Sequence, residues 1–176
     1  MSSKMFSPEN LNLIYNWILS DSGERVVEVI QNGKTLELGE QLSYQTSYSL
    51  CAPSNVETRS FMIHTHPLAC YRRNRINHAW PSGEDYKSIL KNSLKYHIVV
   101  SSEGFYIITN IFDEDISWNT LKKSERNYIK QTHNIAGNAP IDEYRYVYHI
   151  NSLGYFHIKF VSWTELGFPD LASRGM

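Results

Sequence analysis

The stretch that decides the fold is Ser60-Phe-Met-Ile-His-Thr-His66-Pro67, a short apolar run that ends in two histidines and a proline. Consecutive apolar residues in a run of this length are typical of a buried strand. Pro67 ends the strand because proline has no backbone N–H to donate to a neighbouring strand. We therefore expect a buried strand with the two histidines at its carboxyl end.

The spacing of these histidines allows both to bind one metal ion. Residues i and i+2 of a strand project to the same face, so His64 and His66 can reach a common point. Neutral imidazole nitrogen binds zinc at about 2 Å, and two such ligands make up most of a catalytic zinc site. Pairs of this kind also occur without metal, so the next motif decides the interpretation.

A third ligand is offered by Pro81-Ser82-Gly83-Glu84-Asp85, which predicts the start of a helix. Ser82 and Asp85 match a capping box, in which both side chains accept hydrogen bonds from backbone N–H groups at the helix start. Because they are three residues apart, both can also face the end of the histidine strand. Asp85 would then bind zinc and leave the fourth position to water. The capping role and the metal role are compatible.

The remaining segments predict a mixture of helices and strands. Ser7 and Pro8 begin a helix with apolar residues at helical spacing, and Asn32-Gly33 is a strong hairpin turn between two extended stretches. The other predicted segments are an extended stretch over 42–50, an irregular loop over 68–80, strands over 97–101 and 105–109, a helix over 117–134, and a terminal hairpin with strands over 144–150 and 155–163. The fold class is therefore α+β or α/β, a mixed β-sheet flanked by helices.

Composition excludes several classes of protein. Hydrophobic residues make up 41% of the 176 residues and charged residues 20%, unlike a disordered or fibrous chain. The net charge of −1 argues against nucleic acid as a partner, because that binding normally needs a basic excess. No apolar stretch is long enough to cross a membrane. With no secretory signal and no Cys-x-x-Cys motif, we expect an intracellular, cytoplasmic protein.

His-x-His-Pro closing a strand, followed by Ser-x-x-Asp opening a helix, resembles the JAMM/MPN (JAB-type) zinc metalloprotease family. The match comprises five positions, and they are His64, His66, Pro67, Ser82 and Asp85. The likeness in element order extends from about Ser7 to Thr109. The resemblance implies that zinc is bound by His64, His66 and Asp85.

The same resemblance implies an architecture. Residues 1–110 would form an MPN-like core, which is a cytidine-deaminase-like mixed sheet flanked by helices. Residues 111–176 would form an extension, a helix and a β-hairpin, packed on the same domain. The aromatic hairpin either binds a partner or closes the edge of the sheet.

Two catalytic residues are also implied by the resemblance. The family uses an upstream glutamate as general base, which takes a proton from the zinc-activated water. Glu24 is the first choice, because it follows the first helix and begins the first strand. Glu28 is the alternative general base, since it lies four residues on and faces the same side of the strand. Ser82 would donate a hydrogen bond to the oxyanion.

This chain departs from the family pattern in one place. Residues 67–81 lie between His66 and Ser82, a longer connection than the family usually has. Loop closure costs only about 0.6 kcal/mol per doubling of loop length, so the site can tolerate the insertion. With Arg72, Arg73 and Arg75, the segment is either a docking surface for acidic groups or a solvated loop.

The sequence therefore predicts a JAMM-type zinc metallopeptidase or isopeptidase that cleaves an amide bond by metal-activated water. Its substrate would be a protein or peptide, with ubiquitin-like conjugates among the candidates. The alternative is a metal-free MPN-like scaffold or interaction protein, in which the same residues only cap and pack. A metal-dependent nuclease is a weaker third reading, because the net charge is near neutral. The sequence leaves the oligomeric state open.

Overall fold

The computed structural model describes residues 5–45, 61–73, 78–112, 116–127 and 142–171. The first helix, α1, spans Pro8–Ser20 and begins where the sequence predicts. Ser7 caps it by accepting a hydrogen bond from the backbone N–H of Asn10 at 3.2 Å. The side chains that α1 buries lie at helical spacing: Leu11, Ile14, Tyr15 and Ile18.

A hairpin follows α1. Strand β1 (Glu24–Asn32) pairs antiparallel with β2 (Thr35–Gln45) across the turn at Gly33. Gly33 has φ +59°, in the left-handed region that glycine adopts without a steric cost. The predicted hairpin is therefore confirmed.

The remaining elements follow in chain order: β3 (Phe61–Thr65), α2 (Leu68–Arg73), α3 (Gly83–Lys91), β4 (Tyr96–Val100), β5 (Gly104–Asn110), α4 (Glu143–Ser152), β6 (Phe156–Ser162) and the 3-10 helix η1 (Thr164–Leu166). In addition, residues 123–127 are helical. Each of the predicted strands at 97–101 and 105–109 is confirmed to within about one residue.

The six strands form one mixed sheet in the order β2-β1-β3-β4-β5-β6. Strands β3 and β4 are parallel, and the other neighbouring strands are antiparallel. Strand β3 lies between β1 and β4, so both of its edges are hydrogen-bonded. This interior position explains its unbroken apolar sequence.

Helices cover both faces of the sheet. On one face α1 packs over Ile63 of β3 and Ile98 of β4. On the other face α3 and α4 pack over Met62 and Val99. Successive residues of a strand point to opposite faces, so His64 shares the face of Met62. The candidate site therefore lies on the α3 side of the sheet, at the carboxyl end of β3.

The predicted terminal hairpin is wrong in its first half, because residues 144–150 belong to α4. Asp142 caps α4 by accepting a hydrogen bond from the backbone N–H of Arg145 at 2.8 Å. Tyr146 and Ile150 are buried, and this spacing of four residues is helical. Tyrosines at 144, 146 and 148 are spaced as they would be on one face of a strand. Tyr148 is nevertheless 78% exposed whereas Tyr146 is buried, so the two do not share a face. Over the described residues 142–171, the predicted hairpin is thus replaced by helix α4 followed by β6, which pairs with β5 of the same sheet.

The predicted irregular loop over 68–80 is also wrong in part. Residues 68–73 form α2, which buries Leu68, Cys70 and Tyr71. Ala79 and Trp80, near the other end of the insertion, are buried as well. The apolar residues of the insertion carry it into the protein, so only part of it meets solvent. Arg72 and Arg73 are exposed, and Arg75 lies outside the described residues.

Some predictions fall on residues that the structure does not describe. These are residues 46–50 of the predicted extended stretch over 42–50, residues 74–77 of the predicted loop, and residues 128–134 of the predicted helix. The described part of that helix becomes helical only at residue 123. Among the described residues, no helix has the length and apolar character needed to cross a membrane.

Candidate metal centre

Strand β3 places both histidines in the interior. His64 and His66 are each 1% exposed, and their rings lie 5.0 Å apart between centroids. His66 stands one residue past β3, where its backbone N–H donates to the carbonyl of Val100 at 2.7 Å. That bond extends the pairing with β4 and holds His66 beside His64.

Glu24 reaches the same place from β1. The antiparallel register pairs Val26 with His64, so Glu24, two residues earlier, lies on the same face near the end of β3. Its Oε2 is 3.0 Å from His64 Nε2. Glu24 is 3% exposed. A buried carboxylate is costly unless it is paired, and His64 supplies the partner.

Asp85 completes the group from the start of α3. The predicted capping box is present: Asp85 Oδ2 accepts from the backbone N–H of Ser82 at 2.6 Å, and Ser82 Oγ accepts from that of Asp85 at 3.3 Å. Asp85 also faces both histidines. Its Oδ1 lies 3.3 Å from His64 Nδ1, and its Oδ2 lies 3.5 Å from His66 Nε2.

Glu24, His64 and His66 form a buried group that could hold a metal ion, since their ligand atoms all lie within 4.8 Å of one another. Asp85 was the predicted third ligand, and it contacts both histidines from the other side. The four residues come from three elements: β1, the end of β3, and the start of α3. Imidazole nitrogen and carboxylate oxygen are donors that zinc accepts.

Three buried polar atoms in this group make no hydrogen bond: Glu24 Oε1, His64 Nδ1 and Asp85 Oδ1. Buried polar atoms are normally satisfied, and leaving one unsatisfied costs about 1–3 kcal/mol. A bound cation would compensate for such atoms, because the two oxygens present lone pairs and His64 Nδ1 does so once the ring is neutral. The donor set therefore fits a metal ion.

The charges of the four residues are strongly coupled. Burial alone lowers the pKa of the His64 imidazole, but the carboxylates of Asp85 and Glu24 outweigh it and raise that pKa to about 10. Burial opposes ionisation of Asp85, yet His66 and His64 hold its pKa well below the usual range. Without a metal, His64 is thus an imidazolium held between two carboxylates.

The structure separates the two glutamates that were candidates for general base. Glu24 contacts His64, whereas the side chain of Glu28 lies against Gly39 of β2, 3.0–3.2 Å from where a Cβ would stand. Both face the same side of β1, as predicted, but Glu28 is paired opposite Met62 rather than the histidines. Ser82, the predicted oxyanion donor, is 2% exposed and lies beside Asp85.

Some contributors to the site are absent from the sequence argument. The carbonyl of Ala79 contacts His66 Nδ1 at 2.8 Å, and the ring of Tyr71 lies 5.1 Å from the ring of His66. His97 of β4 is also buried, with its ring 6.2 Å from that of His64. Burial, and then the positive charge on His64, lower the pKa of His97 to about 3. His97 is therefore neutral.

These contributors share no local sequence signal. Ala79 acts through its backbone, which any residue supplies, and His97 belongs to a strand that is remote in sequence. The alternation of residues along β4 places His97 on the same sheet face as His64, but this follows only once the parallel pairing of β3 and β4 is known.

Comparison with family models, with curated proteins and with solved structures gives no match for this chain.

Proposed function

We propose that this chain is a zinc-dependent hydrolase of the JAMM/MPN type that cleaves a peptide or isopeptide bond with an activated water molecule. The observation that carries the proposal is the convergence of Glu24, His64, His66 and Asp85 in one buried group. Ordinary core packing uses apolar side chains and would need neither the two carboxylates nor the two histidines. A protein or peptide, including a ubiquitin-like conjugate, is the proposed substrate.

His64, His66 and Asp85 are the proposed ligands. When bound, zinc lowers the pKa of a coordinated water toward about 7 and polarises a substrate carbonyl. Asp85 is held for this role by the capping box, because its Oδ2 is fixed by the backbone N–H of Ser82. Its Oδ1 faces the interior, 3.3 Å from His64 Nδ1.

Glu24 is the proposed general base. Its Oε2 faces His64, and its Oε1 is buried without a hydrogen-bond partner. Oε1 is therefore the oxygen available to take a proton from water and to pass it to the leaving amine. General bases of this kind contribute about 10²–10⁴-fold to the rate.

Ser82 is the proposed donor to the oxyanion. Its Oγ accepts the Asp85 N–H at the helix cap, and a hydroxyl that accepts one bond still has its proton to donate. Removing a donor of this kind costs about 10²–10³-fold in kcat. The cap fixes the position of Oγ before substrate arrives.

The test is hydrolysis of amide substrates by the zinc-loaded protein, using peptide libraries and ubiquitin-like isopeptide conjugates. We expect cleavage by the wild type and a loss of about 10²-fold or more in Glu24→Gln, with zinc retained. Glu28→Gln is the matched control and should keep full activity. Loss of zinc in Glu24→Gln would instead make Glu24 a ligand. Equal activity in wild type and Glu24→Gln would contradict the role proposed for Glu24.

A metal-free scaffold is the second candidate, and one observation favours it. The imidazolium of His64 between Glu24 and Asp85 forms two ion pairs, at 3.0 and 3.3 Å, which can hold the group together without metal. In that case the cluster would only pack β1, β3 and α3 against one another. Zinc content separates the two candidates.

A further inference from the structure

The residue next to Trp80 in the inserted segment orients one of the proposed ligands. His66 Nδ1 lies 2.8 Å from the backbone carbonyl oxygen of Ala79. A carbonyl oxygen only accepts, so Nδ1 carries a proton in this contact. The other ring nitrogen, Nε2, points at Asp85. Ala79 therefore holds a proton on Nδ1 and fixes the ring orientation of His66, so that Nε2 is the nitrogen that faces Asp85.

Glu103 holds the other side of Ala79. The backbone N–H of Ala79 donates to Glu103 Oε1 at 2.7 Å. Glu103 stands in the turn between β4 and β5 and is 7% exposed. The Ala79 backbone thus links two side chains: Glu103 holds its N–H, and its carbonyl holds His66.

Glu103 is itself held rigidly. Its Oε2 accepts hydrogen bonds from Ser101 Oγ at 2.6 Å and from the Tyr106 hydroxyl at 3.2 Å. The Glu103 backbone N–H also donates to Ser101 Oγ, at 3.1 Å. A buried carboxylate with three donors is a strong, well-oriented acceptor. The sheet therefore provides a fixed point to which the inserted segment is attached.

The other contacts near Ala79 are made by its neighbours: His78 Nδ1 lies 3.7 Å from the same Glu103 oxygen, and the Pro81 carbonyl accepts from the Tyr146 hydroxyl. The Trp80 ring is stacked between those of His78 and Tyr146, at 4.1 and 4.7 Å between centroids. Stacked rings can slide, whereas the hydrogen bond from Ala79 specifies the position of its backbone. The bond to Glu103 is therefore the contact that acts directly on the Ala79 backbone.

We infer that Glu103 is a positioning residue, which acts through the Ala79 backbone to hold His66 in the tautomer that presents Nε2 to the metal. The inference rests on the proposed function as far as the metal is concerned. The hydrogen bond from His66 Nδ1–H and the orientation of the ring depend on Glu103 whether or not zinc binds. Outer partners of histidine ligands typically contribute about 10–100-fold to metal affinity.

The test compares Glu103→Ala and Glu103→Gln, with Tyr106→Phe as the matched control. Glutamine retains an Oε1 acceptor for Ala79, whereas alanine removes it. Tyr106→Phe deletes a hydrogen bond to the other oxygen of the same carboxylate and leaves Ala79 bound. Zinc affinity is measured by competition with a chromophoric chelator, and the cobalt-substituted spectrum reports ligand geometry. Imidazole ¹⁵N–¹H NMR of the metal-free protein reports the His66 tautomer.

We expect Glu103→Ala to lower zinc affinity about tenfold or more, to alter the cobalt spectrum, and to lose the protected Nδ1–H signal of His66. Glu103→Gln and Tyr106→Phe should keep the wild-type signal and affinity. Where Glu103→Ala does not fold, Glu103→Asp, whose shorter side chain keeps the charge but draws the acceptor back, makes the same comparison.

Two results separate this inference from the proposed function. A wild-type signal and affinity in the folded Glu103→Ala or Glu103→Asp protein would overturn the positioning role. A wild type that binds neither zinc nor cobalt, but whose His66 signal depends on Glu103, would overturn the hydrolase and leave the positioning role standing.

Discussion

Asp85 takes part in two arrangements at once, and both depend on its place in α3. As the third residue after the cap it satisfies the backbone N–H of Ser82, and it also faces His64 and His66. The helix cap therefore fixes the carboxylate before any metal arrives. Preorganisation of this kind is what a metal site needs, because ligands that are already in place lose less freedom on binding.

The imidazolium of His64 makes metal binding dependent on pH. Its pKa is raised from 6.5 to about 10 by the carboxylates, whereas a zinc ligand must be neutral. We therefore expect zinc binding at neutral pH to release about one proton from His64. Apparent zinc affinity should rise as the pH is raised toward 10. Titration calorimetry in buffers of different ionisation enthalpy measures the proton, and release of none would contradict the ion pairs.

The same shift affects the stability of the metal-free protein. Because the folded-state pKa of His64 lies above its unfolded value, the group contributes stability that is fully present below pH 6.5 and is lost as the pH rises through about 10. Zinc should remove this dependence, because the bound imidazole is already neutral. Urea unfolding between pH 6.5 and about 10 measures the free energy of unfolding of the metal-free protein, and the same series with zinc is the control.

Ser82 offers a second prediction, because its cap and its catalytic role can be separated. Ser82→Ala should lower stability by about 0.5–2 kcal/mol, the usual cost of an N-cap, and lower kcat by about 10²-fold or more. Ser7→Ala removes the cap of α1 on the opposite face of the sheet and should lower stability alone. Equal kcat in the two variants would leave Ser82 with only the capping role.

Among the elements, α3 and the end of β3 were predictable because their signals are local. His64 and His66 share a strand face, and Ser82 and Asp85 form a capping box, so short spacings suffice. Helix α4 was missed because alternating tyrosines in it resemble a strand. The bond between Ala79 and Glu103 joins residues that are 24 apart, and no local pattern indicates that the inserted segment meets the turn between β4 and β5.

Helix α4 supports the site through Tyr146. The hydroxyl of Tyr146 donates to the carbonyl of Pro81 at 2.7 Å and also contacts the hydroxyl of Tyr86. Pro81 precedes Ser82, so α4 stabilises the segment that starts α3. Buried Tyr146 therefore connects the extension to the site.

Tyr146→Phe should lower the free energy of unfolding by about 1–3 kcal/mol, because it leaves the Pro81 carbonyl and the Tyr86 hydroxyl without this partner. Tyr148→Phe is the matched control on the same helix, since Tyr148 is exposed, and it should change stability by less than about 0.5 kcal/mol. Urea unfolding measures both. Equal stability in the two variants would contradict the supporting role of α4.

For the whole molecule, the candidate site links elements that are distant in sequence. Glu24, the two histidines and Asp85 come from β1, β3 and α3, which the sheet order and the N-cap of α3 bring together. Sequence alone indicated the order of these elements and the fold class. It favoured Glu24 over Glu28 only through the resemblance to a known family, because the contact itself depends on the register in which Val26 pairs with His64.

Zinc content per chain tests the central claim most directly. The protein is purified without added metal or chelator and measured by elemental analysis, together with His64→Ala, Asp85→Ala and the exposed control His157→Ala. We expect about one zinc per chain in the wild type and in His157→Ala, and none in the two site variants. A wild type that holds no zinc even after zinc is added, with all variants folded alike, would contradict the claim and favour the metal-free scaffold.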